Sequence, residues 1–379
     1  MSGKDIMEAL ISSCATGGGH YAAAEAMQEE LQCRGHHVQL LDPYVLSGTN
    51  MDEKVGNCYI KCVQKMPGLF GAVYRLGNLY RRLPGKSPVY WANKKTADHM
   101  QEYLQQHSYD VILTTHIFPG EVLTHLMKRG VALPKVIYIS TDYTCIPFTE
   151  EMECDYFIIP SPVQEREFCS WGIPLEKLIP IGIPVKQRFR EKMGREEAMK
   201  CLGLNPEKRY ILMAGGSIGA GKIFEAICIL YGYLQVHKEV ILIVACGSNQ
   251  KLYEELKNKY EEEQQILLLK KTECMAEYLK VCDMYISKPG GVSSTEAAVS
   301  NIPLIHMPPI PGCETKNESF FSKCGMSIAV LNLNRELPQA IKQFEDREVI
   351  ENMKKMQHEM IDPMAAEKIA EFIEDILLE

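Results

Sequence analysis

Short, uninterrupted apolar runs recur along the chain and alternate with helix-length segments: VILTTH at 111–116, VIYIST at 136–141, YILMA at 210–214, VILIVA at 240–245, ILLL at 266–269, MYIS at 284–287 and PLIHM at 303–307. Runs of this length without polar alternation suit strands buried on both faces, as in parallel sheets covered by helices. Three of the strand-to-helix junctions are glycine-rich: TGGGH at 16–20, AGGSIGAG at 214–221 and PGG at 289–291. Strand, glycine turn and helix in that order predict α/β architecture. At 379 residues the chain exceeds what one core usually serves. The expectation is therefore two doubly wound, Rossmann-like α/β domains.

The stretch 284–317 carries the most chemistry. Glycines at a strand-to-helix turn let a backbone approach a phosphate, and the first helical amides point at it. Gly290 and Gly291 supply the turn, and Ser293 adds a hydroxyl that either caps the helix or binds the anion. Glu296 would repel a phosphate, so the ribose diol of a nucleotide is its natural partner. The plainer alternative is a serine-capped turn with Glu296 complementing the helix dipole. In the first half, Gly18 and Gly19 open a loop that meets a helix at His20. A histidine there can take a proton from a hydroxyl, or simply line the helix start. His116 and Asp142 follow apolar runs, at the strand ends where open α/β sheets place ligands.

Composition narrows the class. A net charge of −8 argues against nucleic acid as a partner. Fourteen cysteines are scattered without a CxxC pair or a zinc-like His cluster, which reads as reduced thiols. No DxD pair is present, so the usual carboxylate anchor for a divalent metal is missing and neither metal nor cofactor is expected. The first apolar run is short and broken by Glu8, and no run approaches membrane-spanning length. These features predict a cytoplasmic protein, peripheral at the membrane face.

One span departs from this acidic background. From Lys54 to Ala97 there are nine Lys or Arg and no Asp or Glu, mixed with Tyr59, Phe70, Tyr74, Tyr80, Tyr90 and Trp91. Basic and aromatic residues together suit an anionic lipid surface, with Arg81, Arg82, Lys86 and Trp91 as the contact group. The alternative is that Tyr59, Val63, Met66 and Phe70 form a core-facing stripe with solvated lysines behind it.

SKPGGVSSTEAA and PGCETKN, together with TGGGHYAAAEAM, STDY, IGIPV and MAGGSIGAG, resemble the glycosyltransferases of GT-B fold, and among them the monogalactosyldiacylglycerol synthases and processive diacylglycerol glycosyltransferases. The resemblance implies two domains facing a cleft: an acceptor domain, 1–188, and a UDP-sugar-binding domain, 189–362, with a final helix, 363–379, crossing back. It implies an inverting transfer of a hexose from a UDP-sugar to a lipid, diacylglycerol first. His20 would be the general base, with Asp142 orienting it or touching the acceptor. Gly215, Gly216, Ser217 and Gly219 would face the donor diphosphate, the backbone near Lys271 the uracil, and Glu314 and Asn317 the sugar. Ile146 and Cys313 stand where relatives carry His and often Gln. Two other readings stay open: an enzyme of the UDP-N-acetylglucosamine 2-epimerase type, and a non-catalytic nucleotide-sugar or lipid-binding protein.

Overall fold

The computed structural model describes residues 6–14, 17–48, 67–191 and 193–378. The described residues divide into two compact units, one holding 6–48, 68–187 and the return segment 363–378, the other centred on 188–362. Each is built on a six-stranded, all-parallel sheet. Tyr59, Val63 and Met66 of the proposed core stripe lie outside the described residues, as do Lys54, Lys61 and Lys65.

The first sheet comprises β1 (Glu8–Ser12), β2 (His37–Leu41), β3 (Val111–Thr114), β4 (Lys135–Ile139), β5 (Tyr156–Ile158) and β6 (Leu178–Ile179), in the order β2-β1-β3-β4-β5-β6. Its central strands are mostly apolar because both faces are covered, whereas the edge strand β2, HVQLL, is only partly buried. Leu10, Ile112, Val136 and Tyr138 enter one core, and their neighbours Ala9, Ile11, Val111, Leu113, Ile137 and Ile139 enter the other. The second core is completed by Ala366, Ile369, Ala370 and Ile373 from the final helix Ala365–Leu378. IPIGIPV pairs less than its apolarity predicts, for only Leu178 and Ile179 join the sheet. Pro180 and Pro184 have no N–H to give a ladder, and Gly182 turns the chain at φ 134°.

The second sheet comprises β7 (Arg209–Ala214), β8 (Val240–Ala245), β9 (Ile266–Leu269), β10 (Met284–Ser287), β11 (Leu304–His306) and β12 (Ile328–Ala329), in the order β12-β11-β10-β7-β8-β9. In each sheet the strand order reverses at one place, between β1 and β3 and between β7 and β10. A crevice opens beyond the strand C-termini at such a switch point, and open α/β sheets bind ligands there.

Candidate active site

The switch point of the first sheet collects His20, Thr115, His116 and Thr141. Gly17, at φ 80°, ends the loop after β1, and Gly18 and Gly19 open the helix Gly18–Cys33, so that His20 sits in its first turn. His20 Nδ1 lies 2.8 Å from the Thr115 carbonyl and 2.8 Å from Thr141 Oγ1. The carbonyl can only accept, so Nδ1 carries the proton and Nε2 keeps the lone pair. Thr115 Oγ1 returns a bond to the His20 carbonyl at 3.0 Å, which ties the helix start to the end of β3.

Burial lowers the His20 pKa below its ordinary value, against the opposing pull of Asp142 and the Thr115 carbonyl. The ring is thus neutral at neutral pH, while Asp142 favours the imidazolium that forms once a proton is taken. His116 has a different task. Its Nδ1 accepts the Phe118 N–H at 3.0 Å and caps the helix Ile117–Lys128. Its ring stands edge-on to His20 at 4.4 Å between centroids. Burial first, and the neighbouring His20 second, hold His116 well below its ordinary pKa.

The switch point of the second sheet brings the two remaining glycine turns together around a residue that sequence reasoning passed over, Lys288. A Cβ at Gly216 would meet Lys288 Cε at 3.0 Å, and one at Gly290 would meet its Nζ at 3.4 Å. Glycines on both sides leave the room in which the ammonium sits. Gly219, at φ 57°, presses so closely on the Cys246 carbonyl that a Cβ would stand 2.0 Å from it. Gly215 is equally tight against the Ala220 carbonyl. The loop 215–221 is therefore held by its glycines, with Ser217 accepting the Ser248 N–H through its carbonyl at 2.9 Å.

Past Lys288, no side chain caps the helix Gly291–Val299. Ser293 Oγ turns back to the Gly290 carbonyl at 3.2 Å, and Glu296 is half-buried in the middle of the helix. Ser294 bonds His306 Nε2 at 3.0 Å, and burial pushes the His306 pKa down to about 3.

Two of the sequence-predicted side chains have partners within the protein, and a third faces solvent. The Glu314 carboxylate pairs with Lys288 and accepts the Ile310 N–H at 2.9 Å. Asn317 is fully buried and donates to the Pro289 carbonyl at 3.1 Å. Both therefore shape the Lys288 turn in this structure. Lys271 extends into solvent beyond β9, 3.9 Å from Glu273.

The basic aromatic span needs correction at its charges. Arg81 is buried: its guanidinium chelates Glu150, donates to the Cys145 carbonyl at 3.0 Å and stacks 3.6 Å over Trp171. Lys86 is half-buried and donates to the Glu151 carbonyl at 2.8 Å. Only Arg82 and Trp91 of the proposed contact group are exposed. Arg81 and Lys86 instead fasten the span to residues 145–151. What does face outward is apolar. Leu69, Val73, Leu76 and Leu79 on the helix Pro67–Tyr80, followed by Leu83, recur at helical spacing on one exposed face, with Leu76 at 63% and Leu79 at 61% exposure. A contiguous apolar face of this kind marks a contact surface. Among the described residues no helix is long and apolar enough to cross a membrane, and no group of three His, Cys, Asp or Glu is placed to hold a metal.

Residues 20–185 match the family model described as monogalactosyldiacylglycerol (MGDG) synthase, and residues 210–376 match the glycosyltransferase family 28 C-terminal domain. The processive diacylglycerol beta-glucosyltransferase of Bacillus subtilis is 26% identical over 98% of this chain and 94% of its own. Among solved structures, MurG of Acinetobacter baumannii aligns with a TM-score of 0.61 at 17% identity, over 97% of this chain and 99% of that one. The UDP-GlcNAc 2-epimerase of Neisseria meningitidis, bound to UDP-GlcNAc, aligns at 0.66 with 11% identity over 97% and 99%. At these identities the two structures speak for the fold alone, which is the two-domain α/β fold predicted from the apolar runs.

Proposed function

Since the first half of the chain matches the monogalactosyldiacylglycerol synthase model and the second half the glycosyltransferase family 28 C-terminal domain, we propose that it moves a hexose from a UDP-sugar to the hydroxyl of a membrane lipid, with diacylglycerol as acceptor, in glycolipid synthesis. The first unit activates the acceptor. His20 Nε2 takes the hydroxyl proton, the oxygen bonds to the anomeric carbon, and the bond from that carbon to UDP breaks on the opposite face, inverting the centre. Asp142 supports the imidazolium. The second unit holds the donor, with Glu296 on the ribose. The charge that builds on the departing diphosphate meets the Lys288 ammonium and the amides of Gly291–Ser293, which replace a metal in this scheme.

The observation that carries this reading is the preset state of His20: a neutral ring, its Nδ1–H fixed on Thr115, at the switch point of the first sheet. A second observation favours a lipid over a soluble acceptor. The exposed apolar face of Leu69, Val73, Leu76, Leu79 and Leu83, flanked by Arg82 and Trp91, suits insertion at a bilayer surface. We further propose peripheral attachment to an anionic membrane at its cytoplasmic face, a reading this surface supports.

The test is release of UDP from UDP-glucose, UDP-galactose and UDP-N-acetylglucosamine in the presence and absence of diacylglycerol vesicles. Lipid-dependent release with a glycolipid product is expected. Conversion of UDP-N-acetylglucosamine to its 2-epimer without lipid would put the epimerase reading in its place. UDP binding with neither reaction would leave a non-catalytic protein. Glu296→Ala should weaken UDP binding by roughly 1–3 kcal/mol, as for loss of a charged hydrogen-bond partner, measured by calorimetry.

A further inference from the structure

The second unit has another concave site, at the end of its sheet away from Lys288. A cavity of about 430 Å³ is lined by residues at the starts of β7, β10 and β11, including Arg209, Met284 and Pro303, and by Arg195, Phe344 and Lys354. Its volume lies in the range of small-molecule sites. The charge is one-sided, since Arg195, Arg209, Lys280 and Lys354 line it against a single carboxylate, Asp283. Asp283 is already engaged, with Arg195 at 3.4 Å and the Tyr210 N–H at 2.9 Å. Lys280 donates to the neutral Arg188 carbonyl at 2.7 Å. Neither Arg209 nor Lys354 forms a salt bridge among the described residues. The Ser300 hydroxyl, also on the lining, is buried with no hydrogen-bond partner. Arg195 is shared with Asp283 and Arg209 lies within electrostatic reach of Glu239, yet four cations still line the cavity against one carboxylate, and this excess beside the apolar Phe344, Met284 and Pro303 calls for an anion with a short organic body.

We infer that this cavity binds a small phosphate monoester and regulates donor binding from the far end of the sheet. The two sites share their supports. β10 begins at the cavity with Met284 and ends one residue before Lys288, and the helix Gly291–Val299 starts beside Lys288 and ends at Ser300. A nine-residue helix is about 13 Å long. A ligand seated where Met284 and Ser300 form the cavity wall thus bears on both elements that carry the phosphate turn. This coupling rests on the donor reading given above; binding in the cavity does not.

Calorimetry on the full chain with sn-glycerol 3-phosphate, and glycerol as the uncharged control, tests it. Saturable binding of the phosphate ester alone is expected, weakened about tenfold or more by Arg209→Ala with Lys354→Ala, since a charged hydrogen bond is worth at least that factor. It should persist in Glu296→Ala and in the presence of saturating UDP. By linkage, the ester and UDP should change each other's affinity by the same factor. Absence of saturable heat, displacement by UDP, or unaltered affinity in the double variant overturns the site. If circular dichroism shows the double variant unfolded, Arg209→Glu alone, at an exposed position, gives the decision: undiminished binding overturns the site. Binding without any mutual effect on UDP overturns the regulation. A chain that binds the ester and not UDP refutes the donor reading instead.

Discussion

Replacing Lys288 by Met separates the two roles that the structure gives its ammonium. The pair it makes with Glu314 is mostly buried, the side chains being 13% and 10% exposed. Removing one partner of a buried pair costs about 3–5 kcal/mol because the other charge is stranded. The lower end applies here, since the Ile310 N–H still serves Glu314 and some water reaches both groups. Lys288→Met should therefore lose roughly 3 kcal/mol of stability, read from urea unfolding of the second unit. Lys288→Met with Glu314→Gln removes the stranded charge while keeping an oxygen for Ile310, so most of that stability should return. UDP binding should behave differently. The ammonium lies between the two glycine turns, so a diphosphate held there would meet its charge as well. Losing it should weaken UDP by about 1.5–3 kcal/mol, roughly ten- to a hundredfold, in the single and double variants alike. Wild-type UDP affinity in a folded double variant would refute the diphosphate role of Lys288. A double variant no more stable than the single one would refute the stranded-charge account.

His20→Ala should cut turnover by about two to four orders of magnitude, the usual contribution of a positioned base, with UDP affinity near wild type. Because burial lowers the His20 pKa, the base stays unprotonated at neutral pH, and kcat/KM should fall only as pH drops below about 6.5, the ordinary histidine value. Leu76→Asp with Leu79→Asp should abolish vesicle sedimentation, whereas Arg82→Ala should lower it only on anionic vesicles at low salt; equal binding by the leucine variant would remove the membrane reading of this face. Arg81→Ala should instead lower the melting temperature, as its guanidinium is spent on Glu150 and Trp171. Glu121 is fully buried beside Glu151, and burial, then the charge of Glu151, pushes its pKa up to about 9. The folded state thus holds a proton that the unfolded chain has released, and stability falls from the unfolded carboxyl range near pH 4.3 up to about 9. Glu121→Gln should raise stability at pH 8 and flatten that slope; an unchanged slope would show that Glu121 is ionised in the fold.

The parallel sheets were legible because the strands covered on both faces are nearly continuous apolar runs, as at 111–113 and 240–245. The glycine junctions were legible for a related reason: Gly216 and Gly219 take positive φ, which few other residues tolerate. His20 could be picked out by its place after such a junction, but the state of its ring depends on Thr115 and Thr141, more than ninety residues away. Lys288 lay in plain view between a strand and a PGG turn. Nothing local says that its amine bends between two glycine loops and reaches Glu314. Arg81 and Lys86 misled for the same cause. A basic run reads as solvated until the carboxylates and carbonyls of 145–151 fold over it. The apolar face beside them was obscured because Leu76 and Leu79 look like core residues in sequence.

The final helix has a consequence for the order in which the protein can be made. Ile369, Ala370 and Ile373 fill the core beneath β1, β3 and β4, and Glu374 bonds both His36 and Arg34. Domains commonly fold during synthesis as soon as they leave the ribosome. This first unit cannot close its core until residues 365–378 have been translated, after the whole of the second unit. Its nascent form would present an apolar sheet face throughout that interval, so the second unit has the opportunity to fold first although it is encoded later. A fragment ending near 187 should therefore aggregate, and a peptide of 363–379 supplied in trans should rescue it.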